Sequence, residues 1–176
     1  MSADYEEYAT RLHFNGAYRH PEIFFRACRG ASGAFVDVGA GDGAKLRAAL
    51  DVGALVEFST VVAFDVSSKR VSRLLRLVPE AISALGDAQH IPLPDGSVDF
   101  YYSDQVIEHV PDDVAMARDI LRVLSPGGRG LIGSVVKGKG AWYFYRCNGK
   151  WRIDPTHLRE YDSLDQFIGL FRSVGL

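Results

Sequence analysis

The stretch Val36-Asp37-Val38-Gly39-Ala40-Gly41-Asp42-Gly43 decides how the rest of the chain is read. Its apolar lead-in, Ala34 to Val38, has the length and composition of a buried strand, and three closely spaced glycines break it. Beyond them Leu46, Ala49 and Leu50 fall on one face of a helix. A glycine-rich turn between strand and helix lets backbone approach a ligand closely and offers the free N–H groups of a helix N-terminus. Gly39, Gly41 and Ala44 also satisfy the dinucleotide pattern G-x-G-x-x-A, so the motif alone leaves open which ligand, or whether a bare tight turn, is meant.

The same alternation continues downstream. Thr60 to Phe64 reads as a second strand ending at Asp65, and Ser67 or Ser68 caps a helix with Val71, Leu74, Leu75 and Val78 at helical spacing. Ala81 to Leu85 is a third strand ending at Gly86–Asp87, followed by a loop rich in turn residues (Pro92, Pro94, Asp95–Gly96). Val98 to Tyr102 is a fourth, closed by Ser103–Asp104; a helix from about Asp112 to Leu124 stops before Ser125-Pro126-Gly127-Gly128, and a fifth strand runs from about Gly130 to Val136. Strands alternating with helices at this spacing predict an α/β fold, a doubly wound, mostly parallel sheet with ligands collecting at the carboxyl ends of its strands. Residues 1–30, rich in aromatics, are expected to form one or two helices ahead of it. After strand five, Trp142 to Tyr145, Asn148–Gly149 and Trp151 predict an aromatic β-hairpin, since Asn-Gly suits a type I′ turn. A last helix runs from about Ser163 to Arg172 and meets Gly175.

With 176 residues, the chain fits a single domain. Twenty Lys and Arg against 22 Asp and Glu give a net charge of −2, with no broad basic field for a nucleic-acid backbone. The absence of an 18-residue apolar run and the acidic, polar start MSADYEEYAT argue against a membrane span and a secretory signal. Cys28 and Cys147 show no metal-ligand spacing and suit free thiols in a reducing compartment, so the expected location is cytoplasmic.

The acids at the strand ends carry the chemistry. Asp65 can accept two hydrogen bonds from ribose hydroxyls, or serve only the dipole of the following helix. Asp87 can accept from the exocyclic amine of an adenine, or be a solvated loop acid. Taken together they favour a nucleoside across strands one to three, with Ser103 to Gln105 beside its reacting end.

These elements resemble the class I S-adenosylmethionine-dependent methyltransferases, in particular their type 11 branch. VDVGAGDG is similar to the glycine-rich first motif, Asp65 in AFDVS to the ribose-binding acid, GDAQHIPLPDGSVDF to the adenine-side loop and LRVLSPGG to the lead-in to strand five. The resemblance spans about Phe35 to Val136 and implies a Rossmann-like fold with S-adenosyl-L-methionine as cofactor. It implies that Gly39, Ala40 and Gly41 face the methionine portion and Asp42 its surroundings. Asp65 would hold the ribose, Val66 pack on adenine, Asp87 and Ala88 bind its edge, and Ser103 and Asp104 line the methyl end. The Asp/Asn-Pro-Pro-Tyr motif of base-methylating enzymes is replaced by YYSDQ. Such enzymes usually add two further strands where this sequence reaches Leu176, so a sheet lacking them is expected.

By this resemblance 1–176 is one methyltransferase domain: a helical segment 1–30, a cofactor-binding core 34–137 and an acceptor-side hairpin and loop 141–161. The expected activity is methyl transfer to a small-molecule or glycan-like acceptor, at oxygen, with His157 and His109 as candidate bases. For each histidine a structural role weighs against the catalytic one; Arg159 and Tyr161 are weaker candidates, and one face of the aromatic hairpin is a candidate lid. No metal-ligand cluster is visible in the sequence. Two rivals remain: a nicotinamide-dependent oxidoreductase, and a non-catalytic domain whose sheet is completed by a partner or a second copy.

Overall fold

The computed structural model describes residues 18–138, 145–147, 150–152, 154 and 156–176. In chain order the elements are α1 (Glu22–Cys28), β1 (Gly33–Val38), α2 (Ala44–Asp51), β2 (Phe58–Asp65), α3 (Ser68–Leu77), β3 (Ile82–Leu85), β4 (Val98–Asp104), α4 (Asp113–Val123), β5 (Leu124–Gly133), β6 (Tyr145–Cys147), β7 (Lys150–Arg152) and α5 (Leu164–Val174). The first five strands form one parallel sheet in the order β3-β2-β1-β4-β5. The order turns back between β1 and β4, and in an open parallel sheet the ligand crevice lies outside the strand ends at that point. This is the doubly wound, Rossmann-like architecture that the strand–helix alternation predicts.

The central strands β1, β2 and β4 bury consecutive residues on both faces, which is why β1 reads as a continuous apolar run rather than an alternating one. Phe35, Phe58, Phe100, Leu46 and Leu74 pack on one face with Phe24 of α1. Val36, Val38, Tyr101, Ile107, Met116 and Ile120 pack on the other. Helix starts follow local chemistry: the side chains of Ser67, Asp112 and Ser163 accept from backbone N–H groups in the first turns of α3, α4 and α5. At the far end of α5, Gly175 takes the left-handed conformation that stops the helix (φ 102°).

Strand five departs from its expected bounds. Leu124 already pairs with Val98; the chain then makes an excursion through Ser125–Gly128 and rejoins β4 at Arg129, opposite Phe100. Asp99 fixes that junction, accepting from Ala34 N–H (2.8 Å) and from Ser125 Oγ–H (2.8 Å). The strand ends at Gly133 rather than Val136, which instead bridges to Tyr161. Strands β6 and β7 pair antiparallel, Tyr145 with Arg152 and Cys147 with Lys150. Residues 1–17, Trp142, Tyr143, Phe144 and the Asn148–Gly149 turn, with the lid expected from these aromatics, lie outside the described residues. Among the described residues no helix is long and apolar enough to cross a membrane.

The loop between β3 and β4 is anchored from α4. Buried Asp119 accepts from Ile91 N–H (2.6 Å) and Arg122 Nε–H (2.6 Å), while Arg122 also donates to the carbonyls of Ile91 and Leu93 (both 2.8 Å). Removing that carboxylate strands the Ile91 N–H and takes the Nε–H acceptor from a guanidinium that keeps its two carbonyls and Asp95. Asp119→Ala is expected to lower stability by about 2–4 kcal/mol in denaturant unfolding.

Candidate functional site

The turn after β1 is pinned to the end of β2. The Phe64 carbonyl accepts from both Gly39 N–H (2.8 Å) and Ala40 N–H (2.9 Å). Gly39 is required on two counts: its φ is 79°, and a Cβ there would sit 2.2 Å from Val106 Cγ2. Gly41 is different, since a Cβ would meet nothing nearer than an Arg70 guanidinium nitrogen at 4.0 Å. The Gly41 N–H donates to Asp65 Oδ2 (2.9 Å) and Ser67 N–H to Oδ1 (2.9 Å), with Arg70 Nη1 4.0 Å from Oδ2. A carboxylate has about four acceptor positions, so two N–H donors leave capacity for two hydroxyls. Burial raises the Asp65 pKa, opposed by the Ser67 N–H, the Arg70 charge and the Gly41 N–H.

Two further acids converge on the same end of the sheet. Asp104, closing β4, pairs with Lys45 of α2 (2.6 Å), whose ammonium also lies over the Tyr18 ring. Asp37, at the end of β1 and opposite Tyr102 of β4, is buried, and burial pushes its carboxyl up to about 7. Lys45 opposes that rise, while Asp65 and Asp104 add to it. The switch point therefore gathers three acids with Lys45 and Arg70 as their nearest cations, a setting that favours a ligand bearing positive charge. A pyrophosphate is less well served, since the Gly41 N–H it would use is already given to the Asp65 carboxylate.

A second group of side chains stands beyond Asp104. The loop after β4 carries Glu108, wholly buried, whose Oε2 accepts from Ser134 Oγ–H (2.8 Å). His109 Nδ1 lies 3.1 Å from Thr156 Oγ1 and 3.3 Å from the Thr156 carbonyl; Thr156 is itself held by Asp154. His157 Nδ1 pairs with Glu160 Oε1 at 3.0 Å, both buried, and the two imidazole rings meet edge to face at 4.9 Å. Burial lowers the His109 pKa, and the neighbouring His157 lowers it further.

The structure thus gathers Gly39, Ala40, Gly41, Asp65 and Asp104 at the carboxyl ends of β1, β2 and β4, around the switch point, and sets His109 against His157 in the segment that follows Asp104. Buried Ser103, next to Asp104, has no hydrogen-bond partner for its hydroxyl among the described residues. Val66 is half-buried at the end of β2, and Ala88 is buried in the core. The exposed Asp87 carboxylate accepts from Gln89 N–H (2.9 Å) and the Gln89 amide. Asp42 turns to Arg73 of α3 (3.1 Å). Arg159 is a clamp, its guanidinium donating to the carbonyls of Ile107, Val110 and Pro111. Tyr161 donates to Asp113 Oδ2 (3.0 Å). Sequence reasoning passed over Asp37, Lys45, Arg70 and Glu108. An acid inside an otherwise apolar strand was the available signal for Asp37.

The methyltransferase domain family matches residues 36–132, more than half of the chain, and the chain belongs to that family. It is 30% identical over 172 residues to a probable S-adenosylmethionine-dependent methyltransferase of Mycolicibacterium smegmatis, covering 90% of this chain and 63% of that one. It is 35% identical over 97 residues to the 2-methyl-6-phytyl-1,4-hydroquinone methyltransferase of Synechocystis (53% and 29% covered). Identity is also 35%, over 151 residues, to the chloroplastic tocopherol O-methyltransferase of Arabidopsis thaliana (80% and 43%). The chain thus spans less than two thirds of the length of each of these relatives. The fold matches the YcgJ protein of Bacillus subtilis with a TM-score of 0.67 at 20% identity, over 86% of this chain and 65% of that one. Family and fold together define a class I S-adenosylmethionine-dependent methyltransferase domain. The residues present fit that cofactor: Asp65 retains acceptor capacity for ribose hydroxyls, and the crowded acids suit a sulfonium and an ammonium.

The Asp37 shift carries a stability prediction. The folded state holds the Asp37 proton up to about pH 7, whereas the unfolded chain releases it near the ordinary value of 3.8. Between these values the folded state binds more protons, so this group's contribution to stability falls as pH rises. Asp37→Asn removes that dependence. The variant is expected to gain on the wild type progressively from about pH 4 to pH 7, by up to about 4 kcal/mol, in denaturant unfolding at a series of pH values.

Proposed function

We propose that this chain binds S-adenosylmethionine at the β1–β4 switch point and transfers its methyl group to a hydroxyl of a small-molecule or glycan-like acceptor. The observation that carries it is the Asp65 carboxylate at the switch point, fixed by the Gly41 and Ser67 N–H groups with acceptor positions left for ribose hydroxyls, in company with Asp37 and Asp104, which favour a cationic ligand over an anionic dinucleotide. The cofactor, when bound, supplies a methyl already activated by its sulfonium. Asp65 accepts from the ribose hydroxyls, with Val66, Asp87 and Ala88 along the adenine. Gly39 to Gly41, Ser103 and Asp104 border the methionine and methyl end. Residues 34–137 carry the cofactor and 141–161 the acceptor side.

The protein's own task is to hold an acceptor in line and take up its proton. His157 suits the second part: with Nδ1–H donated to Glu160, its basic lone pair stands on Nε2. His109, held by Thr156 and with its pKa lowered by burial, is the second candidate. The names of two relatives, a hydroquinone methyltransferase and a tocopherol O-methyltransferase, support a small acceptor, and the latter supports oxygen as the methylated atom.

Calorimetric titration with S-adenosylmethionine, S-adenosylhomocysteine and NAD tests the proposal. Micromolar binding of the first two and none of NAD is expected. Asp65→Ala should weaken binding by about 1.5–3 kcal/mol, roughly 10- to 150-fold, through lost charged hydrogen bonds. Binding of NAD alone, or an unchanged affinity in the variant, overturns it.

A further inference from the structure

We propose that Glu108, His109 and His157 form a binding site for a first-row divalent cation of the zinc class. One ligand atom from each lies within 4.8 Å of the others, although His157 comes from a separate segment of the chain. Each residue is also held as metal ligands are held. The His157 ring is oriented by the Glu160 carboxylate on Nδ1, and the His109 ring by the Thr156 carbonyl and hydroxyl on Nδ1. Carboxylate or carbonyl support of this kind fixes the tautomer with the lone pair on Nε2 and strengthens it as a ligand.

The independent observation is Glu108. Its carboxylate is wholly buried; Oε2 accepts from Ser134, but Oε1 has no hydrogen-bond partner among the described residues. A buried, unmatched carboxylate oxygen is costly unless something satisfies it, and a cation between two imidazoles does so. Two imidazole nitrogens and one carboxylate oxygen suit Zn²⁺ or Fe²⁺ and disfavour Mg²⁺ and Ca²⁺, which take oxygen ligands. In a tetrahedral shell the ligand atoms stand roughly 3.3–3.6 Å apart, so the three groups draw together on binding.

Three protein ligands leave a coordination position for an oxygen from outside. A hydroxyl coordinated there gives up its proton to bulk water more readily than when free, because the cation stabilises the alkoxide. In the loaded chain the imidazoles are therefore ligands, and the cation replaces them as the means of deprotonating an acceptor. The site itself rests on side-chain geometry and stands whichever cofactor the crevice takes.

Equilibrium dialysis of the full chain, stripped with chelator and then offered Zn²⁺, tests the site. One Zn²⁺ per chain is expected. Glu108→Gln and His157→Gln should each weaken binding at least about tenfold, whereas His90→Gln, at an exposed histidine, leaves it unchanged. X-ray absorption of the zinc-loaded wild type should show two imidazoles, a readout that needs no variant to fold. S-adenosylmethionine titration of the same variants separates the two proposals, since the cofactor affinity is expected to survive when zinc is lost. No zinc binding by the wild type, a shell without imidazole, or full binding in both variants overturns the inference.

Discussion

The site depends on how the turn after β1 is tied to the end of β2. One carbonyl, that of Phe64, takes the N–H groups of Gly39 and Ala40, and the next residue, Asp65, takes that of Gly41. Three consecutive backbone donors are thereby committed to β2. The loop has one position relative to its neighbour, and the Asp65 carboxylate is aimed before any ligand arrives. A loop left to swing would have to be ordered at the expense of binding energy. The left-handed conformations in the turn are what that tie costs in backbone terms, and glycine is the residue that adopts them without strain.

Acids and cations interleave at this end of the sheet, and burial decides how they titrate. Lys45 answers Asp104 directly and Asp37 at longer range, yet Asp37 still holds its proton to about pH 7. The acids meet there because β2 and β4 end in Asp65 and Asp104, and β1 carries Asp37 one residue before its end, where the sheet order reverses. A cationic ligand would add an opposite charge beside these acids, and that gain depends little on the detail of its shape.

The sheet and its order of elements were legible because they rest on local pattern: apolar runs bounded by Gly, Asp and Ser, and helices opened by Ser67, Asp112 and Ser163. Strand five was misplaced since the pairing of Leu124 with Val98 is decided across the sheet, while Ser-Pro-Gly-Gly in isolation reads as a plain turn. Asp65 was legible from its position after a strand. Asp37 was not, because its burial depends on β2 and β4 pairing on either side of β1. The meeting of Glu108, His109 and His157 was beyond sequence spacing altogether: each reads singly as a core or turn residue, and only the path from Thr156 to Tyr161 back along the loop after β4 unites them.

That path has a mechanical consequence. Arg159 grips the carbonyls of Ile107, Val110 and Pro111, and the Glu108 carbonyl accepts from the backbone of Leu158 and Arg159. Tyr161 reaches on to Asp113 in the first turn of α4. Two stretches far apart in sequence are thus laced into one plate, seated on the start of a helix. A displacement of either stretch is therefore carried to the other, so the two respond to a neighbouring group together rather than as separate loops.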